Sequence, residues 1–327
     1  MRLILRDRRE MIGQSGPDGP IRRWGAGMHG AAHRHRSRLI AIALLAVLTG
    51  CSAFSLAWNY VEGVLVDRVD AWTTLTAEQR TDLEQQLEPW LDRVAVERMP
   101  EYADYLRGAA KRTRTDLDAA DVDWAYRRAR THYRALVADA IDSWVAPALT
   151  GLEPDQFDHL RTKMQRENAE YRARYIDVSR RESQRALAAR IIDFVEGWTG
   201  PLNVQQTELL YRGVRDLPDT SLEWYRYRIR MQAGLLARLR SDANEPAVAA
   251  WLRGWWVERA ALRPRDKAAF DRFEHELVGL LTEFAGTLTP MQRLALGRRL
   301  RGIADELETI HFQTIRGSAR LPHQQHS

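Results

Sequence analysis

Apolar residues in this chain recur at spacings of three and four, and period-two alternation never lasts more than a few residues. Spacing of that kind lines up side chains along one face of an α-helix, so the pattern predicts an all-α protein. From Thr76 onward, Leu83, Leu87, Leu91 and Val94 share a face. Tyr102, Tyr105, Leu106 and Ala109 continue the spacing beyond Pro100, which is expected to break or kink the helix. KRTRTDLDAAD, residues 111–121, reads as a polar connection. A broad stripe then runs from Ala125 through Tyr133, Val137, Ile141 and Trp144 to Ala148, closed by Pro147, Thr150 and Gly151.

Residues 155–196 contain neither Gly nor Pro. As one helix this run would measure about 63 Å, which implies a long helix or coiled-coil-like arm. The alternative is a break near VSRRESQ, residues 178–184. Shorter apolar stripes follow around Leu209 and Val214, from Leu222 to Leu239, around Trp251 and Trp255 after Pro246, from Phe270 to Phe284, and from about 289 to 312. The pattern therefore gives an elongated multi-helix bundle of roughly eight helices over residues 75–315, with a disordered tail over 316–327.

A short motif recurs at helix starts. Residues 75–80 read LTAEQR and residues 288–293 read LTPMQR; Leu83 and Leu87 follow the first at the offsets at which Leu296 and Leu300 follow the second. Looser copies begin at Leu152 (LEPDQ) and Leu202 (LNVQQ). Each part has a local cause. Thr76, Asn203 or Thr289 at the N-cap accepts a hydrogen bond from a free N–H of the first turn. Gln79, Gln156, Gln206 or Gln292 at the third helical position reaches back to the cap N–H. Pro154 and Pro290 suit the first helical position, where no N–H is needed. Glu153 is the poorest of the four caps.

The N-terminal part of the chain follows other rules. LIAIALLAVL, residues 39–48, is ten apolar residues long. A membrane span needs about 20, whereas the core of a secretory signal needs about 7–15. HRHRSR precedes it, and Cys51, the only cysteine, follows in LTGCS. A lone cysteine can form no internal disulfide and belongs to no metal or redox pattern. A compact signal begins at Met28, so residues 1–27 are expected to be an upstream extension, 28–50 the signal peptide and 51–74 a membrane-proximal segment. LTGC resembles the lipobox of bacterial lipoproteins. The resemblance implies cleavage before Cys51 and covalent lipid on its sulfur. Ser52, where an inner-membrane lipoprotein often carries Asp, implies the outer membrane with the domain facing the periplasm.

Removing the leader changes the charge argument. The chain has 49 basic and 44 acidic residues; residues 1–50 hold nine arginines against three acids, which leaves 40 and 41. A net charge near −1 removes the general basic excess that nucleic-acid binding requires. Lysine occurs at only three positions, 111, 163 and 267, and the remaining cations are arginines, which reads as base-composition bias.

Two resemblances extend the picture. The lipobox, the aromatic–Asn element at Trp58-Asn59-Tyr60, LTAEQ and the Pro100-to-Ala103 element together look like an uncharacterised family of Gram-negative lipoproteins, a domain of unknown function. It implies an anchored helical domain and supplies no reaction. The LTxxQ starts resemble those of periplasmic Spy/CpxP-type helical chaperones and stress regulators over about thirteen residues per copy.

Catalytic patterns are missing. His275-Glu276 begins a zinc-protease-like motif, but Gly279 stands where its second His belongs, and His132, His159 and His311 are isolated. No catalytic or metal-ligating residue is assigned, and no cofactor apart from the lipid on Cys51. Trp224, Tyr225, Trp251, Trp255 and Trp256 crowd a short span. They read as core packing or as a surface for apolar client segments or lipid. The sequence thus points to a non-enzymatic, chaperone-like helical binding module, anchored to membrane lipid and engaging a protein or envelope partner. An assembly factor with one dedicated partner is the alternative, and an unrecognised hydrolase the third reading.

Overall fold

The computed structural model describes residues 57–241 and 243–318. Ten helices and no strand occur among them. They are α1 (Val61–Thr73), α2 (Ala77–Arg93, a π turn at Val94–Arg98, then Met99–Arg112) and α3 (Ala119–Ala140, a π turn at Ile141–Val145, then Ala146–Thr150). Next come α4 (Pro154–Tyr175), α5 (Arg180–Thr199), α6 (Val204–Asp216) and α7 (Ser221–Arg240). The last three are α8 (Glu245–Leu252, closing in a π turn at Arg253–Val257), α9 (Pro264–Ala285) and α10 (Pro290–Ser318).

The run without Gly or Pro is two helices, not one long arm. A start signal inside it divides it. Ser179 accepts from the Glu182 N–H and the Glu182 carboxylate accepts from the Ser179 N–H, a complete capping box that opens α5. On the other side, the N–H groups of Ile176 and Asp177 both donate to the Arg172 carbonyl, and the Arg172 guanidinium returns to the Asp177 carboxylate at 3.0 Å.

Pro100 does not end α2. The π turn at Val94–Arg98 lies just before it, and Pro147 in α3 follows the π turn at Ile141–Val145 in the same way. A proline lacks the N–H for its i−4 carbonyl and its ring pushes that carbonyl away. Widening the preceding turn by one residue moves the carbonyl aside and lets the helix continue. Helix α2 also runs through Lys111 and Arg112, so the connection to α3 spans only residues 113–118. There Asp118 caps α3 by accepting from the Asp121 N–H at 2.9 Å.

Four buried clusters hold the helices together. The first joins α3, α4, α7 and α8 through Ile141, Leu160, Leu235 and Leu252. The second joins α5, α6 and α9 through Ala188, Leu210 and Leu280. The third joins α1 and α2 through Val66, Leu83 and Leu87. In the fourth, Ala95, Met99 and Ala103 of α2 pack against Ala304, Leu307 and Ile310 of α10. Three fully buried alanines, 95, 103 and 304, bring these two helices close, and Gly297 does the same further along, since a Cβ there would lie 2.4 Å from the Thr113 hydroxyl. Helix α10 runs antiparallel to α2: Gly297 meets Thr113, while Ile310 meets Met99.

Candidate functional site

The four LTxxQ copies meet in pairs. Gln79 at the start of α2 faces Gln156 at the start of α4, and Gln206 at the start of α6 faces Gln292 at the start of α10. In the first pair each amide donates to the other's oxygen, at 2.9 and 2.8 Å. In the second the reciprocal bonds are 2.8 and 3.0 Å. Each NH2 spends its second proton on the carbonyl just before the partner's motif leucine. Gln79 donates to Gly151 and Gln156 to Thr74; Gln206 donates to Thr287 and Gln292 to Pro201, all at 2.8–2.9 Å.

Each amide oxygen also accepts from its own cap N–H: Thr76 for Gln79, Glu153 for Gln156, Asn203 for Gln206 and Thr289 for Gln292. Every glutamine therefore uses both protons and both acceptor sites. The surroundings fix which way each amide points, because its oxygen meets N–H groups and its nitrogen meets carbonyls. These two clasps tie helix starts 77 and 86 residues apart. Burial makes the bonds strict. Gln156, Gln206 and Gln292 are buried and Gln79 is half-buried. A buried amide left unpaired costs about 1–3 kcal/mol.

Cap side chains differ among the copies. Thr76, Asn203 and Thr289 accept from the N–H of their glutamine at 3.2, 2.9 and 3.2 Å. Glu153 makes no side-chain cap bond. The motif leucines continue into the cores: Leu75 and Leu152 reach the first cluster, Leu202 and Leu288 the second. Each clasp thus closes the end of one core.

Around each clasp the equivalent outward positions are all exposed, but their chemistry differs. At the first clasp they are Ala77, Glu78, Thr81, Pro154, Asp155 and Asp158. At the second they are Val204, Gln205, Glu208, Pro290, Met291 and Leu294. Val204 is 74%, Met291 69% and Leu294 47% exposed; Met291 and Leu294 stand at the positions of Asp155 and Asp158, Val204 at that of Ala77, and Glu208 is the one carboxylate among the six.

The aromatic residues divide. Trp251 and Trp255 pack against the first core, and Trp256, at 5.9 Å from Trp255, is exposed. Trp251 lies over Gly234, where a Cβ would come within 2.2 Å of the ring; its indole N–H donates to the Met231 carbonyl, and Arg238 sits 3.6 Å above it. Trp224 turns towards Phe270 of α9, and Tyr225 stacks on Tyr171 of α4.

A separate nook lies between α2 and α3. His132 packs against the rings of Tyr102 and Tyr105 at 5.0 and 5.5 Å. Its Nε2 and the Tyr102 hydroxyl are buried without a hydrogen-bond partner. Burial, with Arg128 and Arg98 nearby, holds the imidazole below its ordinary pKa against the opposing pull of Glu101. Among the described residues no group of three or more His, Cys, Asp or Glu could hold a metal ion, and no single helix is long and apolar enough to cross a membrane. Cys51, the leader and most of the tail lie outside the described residues.

The pairing of the glutamines could not be read from one motif at a time; four copies were the available signal. The exposed apolar positions around the second clasp, and Arg107 and Lys111 on α2 with Arg114 just after it, carry no such signal, because residues 111–121 read as a polar connection.

A family model described as a family of unknown function, DUF6279, matches residues 71–260. That range contains the first three LTxxQ copies; the fourth, which completes the second clasp, lies beyond it. No curated protein and no solved structure matches the chain.

Proposed function

The chain belongs to this family of unknown function, which brings no reaction with it, and from the geometry we propose a membrane-tethered, non-enzymatic helical binding module whose second clasp presents an apolar tip to a protein partner. One observation carries the reading. The same motif builds both clasps with the same bonds, so the fold asks the same of both. Yet only the second clasp exposes Val204, Met291 and Leu294. Exposed apolar side chains grouped at one place support a contact surface, whereas singly scattered ones do not.

Sequence supports the tether. Cys51 follows a signal-like leader and precedes Ala57 by six residues, a link of at most about 20 Å. Trp58, at the start of the described domain, packs on the third and fourth clusters beside Leu91 and Met99. Acylation of Cys51 would hold that side of the domain close to the bilayer. More than one chain is needed for firm anchoring, as the lipobox resemblance implies. The outer membrane, with the domain in the periplasm, is the location this reading favours.

The test uses the full chain. As a chaperone-like module it suppresses aggregation of an unfolded client without ATP at equimolar ratio, and Met291→Glu with Leu294→Glu abolishes the effect. Unchanged client aggregation with the parent protein rules the chaperone-like form out. The second reading, one dedicated partner, is favoured by the small size of the tip. It predicts one dominant crosslinked band, lost in the same double variant. Loss of neither activity nor crosslink in that variant removes the tip from the account. Membrane fractionation of Cys51→Ser tests the tether separately: retention on membranes with an uncut leader overturns it.

A further inference from the structure

Between α2 and α10 lies a surface cleft of about 230 Å3. Arg107, Lys111 and Arg114 line it from α2 and the residues just after it, and Arg301 and Asp305 line it from α10. Arg107 and Lys111, four residues apart, share one face of α2, and Arg114 follows in the turn just past its end. The antiparallel course of α10 brings Arg301 to the same opening, and a Cβ at the neighbouring Gly297 would lie 2.4 Å from the Thr113 hydroxyl and 3.4 Å from the Arg301 guanidinium.

Pairing separates these cations. Arg107 is held by Glu308 and, at 3.0 Å, by Asp305. Neighbouring arginines are also paired, Arg112 with Asp121 at 3.1 Å and Arg293 with Asp116 at 2.5 Å. Lys111, Arg114 and Arg301 have no ion pair among the described residues. Counting Arg107 with its two carboxylates as −1, the three others leave the cleft with a net charge of +2. A basic residue in the last turn of a helix can serve the helix C-terminus, which accounts for Lys111 alone. Arg301 stands in the interior of α10, where no helix end needs it.

We propose that this cleft is an oxyanion site that takes a phosphate group. Two arginines supply planar forks for phosphate oxygens and a lysine supplies a point charge, which matches a dianion. The volume is several times the ~30 Å3 share of one water, so the cleft admits the phosphate with part of the group that bears it. This site is independent of both the tether and the apolar tip. The phosphate can come from a soluble ester or from a lipid headgroup, and the two are separable by experiment.

The full chain in neutral detergent is titrated calorimetrically with inorganic pyrophosphate, and in parallel with phosphatidic acid in mixed micelles, using succinate and phosphatidylcholine as the matched controls. The comparison protein is Lys111→Gln/Arg114→Gln/Arg301→Gln, with folding checked by circular dichroism and thermal midpoint. Saturable pyrophosphate binding, at least tenfold weaker in the triple variant and weakened by salt, supports the site with a soluble ligand. Binding of phosphatidic acid alone, with the same loss, supports it with a lipid headgroup. If neither phosphate probe binds more tightly than its control, or if the triple variant binds as well as the parent, the proposal is overturned. Should the triple variant unfold, Arg114→Gln, at an exposed position, carries the test with a threefold loss expected and no change overturning it.

Discussion

The two clasps are the same device in different settings. Both join two helix starts through a pair of glutamines that use every proton and acceptor site they have. At the first, Gln79 is half-buried, one cap is a glutamate that does not cap, and the surrounding surface is acidic. At the second, both glutamines are buried, both caps work, and Val204, Met291 and Leu294 are exposed beside a single carboxylate, Glu208. The difference separates what the motif does for the fold from what its surroundings do. Closing a core needs the glutamine pair; it does not need Met291 or Leu294.

The largest expected effect is at the second clasp. Gln206→Leu removes four hydrogen bonds and leaves the Thr287 carbonyl, the Asn203 N–H and half of the Gln292 amide unpaired. It should cost about 3 kcal/mol, from about 1–3 kcal/mol per buried orphan group. Gln79→Leu, with water able to reach the abandoned groups, should cost clearly less. Chemical denaturation of the two variants measures the gap, and equal losses would show that burial does not distinguish the clasps.

Within the first clasp the caps provide a finer contrast. Thr76→Ala should lose about 1 kcal/mol, the usual value of an N-cap, while Glu153→Ala should change little because no bond is removed. A comparable loss in both would mean that Glu153 contributes through charge at the helix start.

A pH scan addresses the contact of α3 with α2 instead of the clasps, since amides do not titrate in this range. Folding depresses the pKa of His132, so the unfolded chain binds the proton more readily. Stability should be complete above the ordinary histidine range near pH 6.5 and should fall as pH drops through that value towards the folded pKa. Thermal midpoints at pH 7.5 and 5.5 should therefore differ less in His132→Gln than in the parent. An unchanged difference would place the acid sensitivity elsewhere.

The smallest effect on stability belongs to the tip. Met291→Glu and Leu294→Glu should each shift stability by less than about 0.5 kcal/mol, because these side chains are exposed. A large loss on denaturation would mean that the tip serves the fold, and the contrast between the clasps would lose its functional meaning.

Helix periodicity was legible because Leu83, Leu87, Leu210 and their like sit at offsets that only one backbone geometry unites. The division of the long run was legible as well, once Ser179 and Glu182 are seen as a cap and not merely as polar residues. Pro100 misled, because the sequence shows the missing N–H but not the widened turn that accommodates it. The union of Gln79 with Gln156 and of Gln206 with Gln292 was out of reach for a different reason. Capping is a local property, and the spare protons of an amide say nothing about which distant carbonyl will receive them.

The π turn before Pro100 has a directional consequence. One surplus residue in a helix turns everything after it by about 100° about the axis. Met99 and Ala103 look towards α10 only because that offset has been added; in a uniform helix they would aim about a quarter-turn away. The proline is therefore not a flaw that α2 endures but the point at which one rod is given two headings, one for α1 and one for α10.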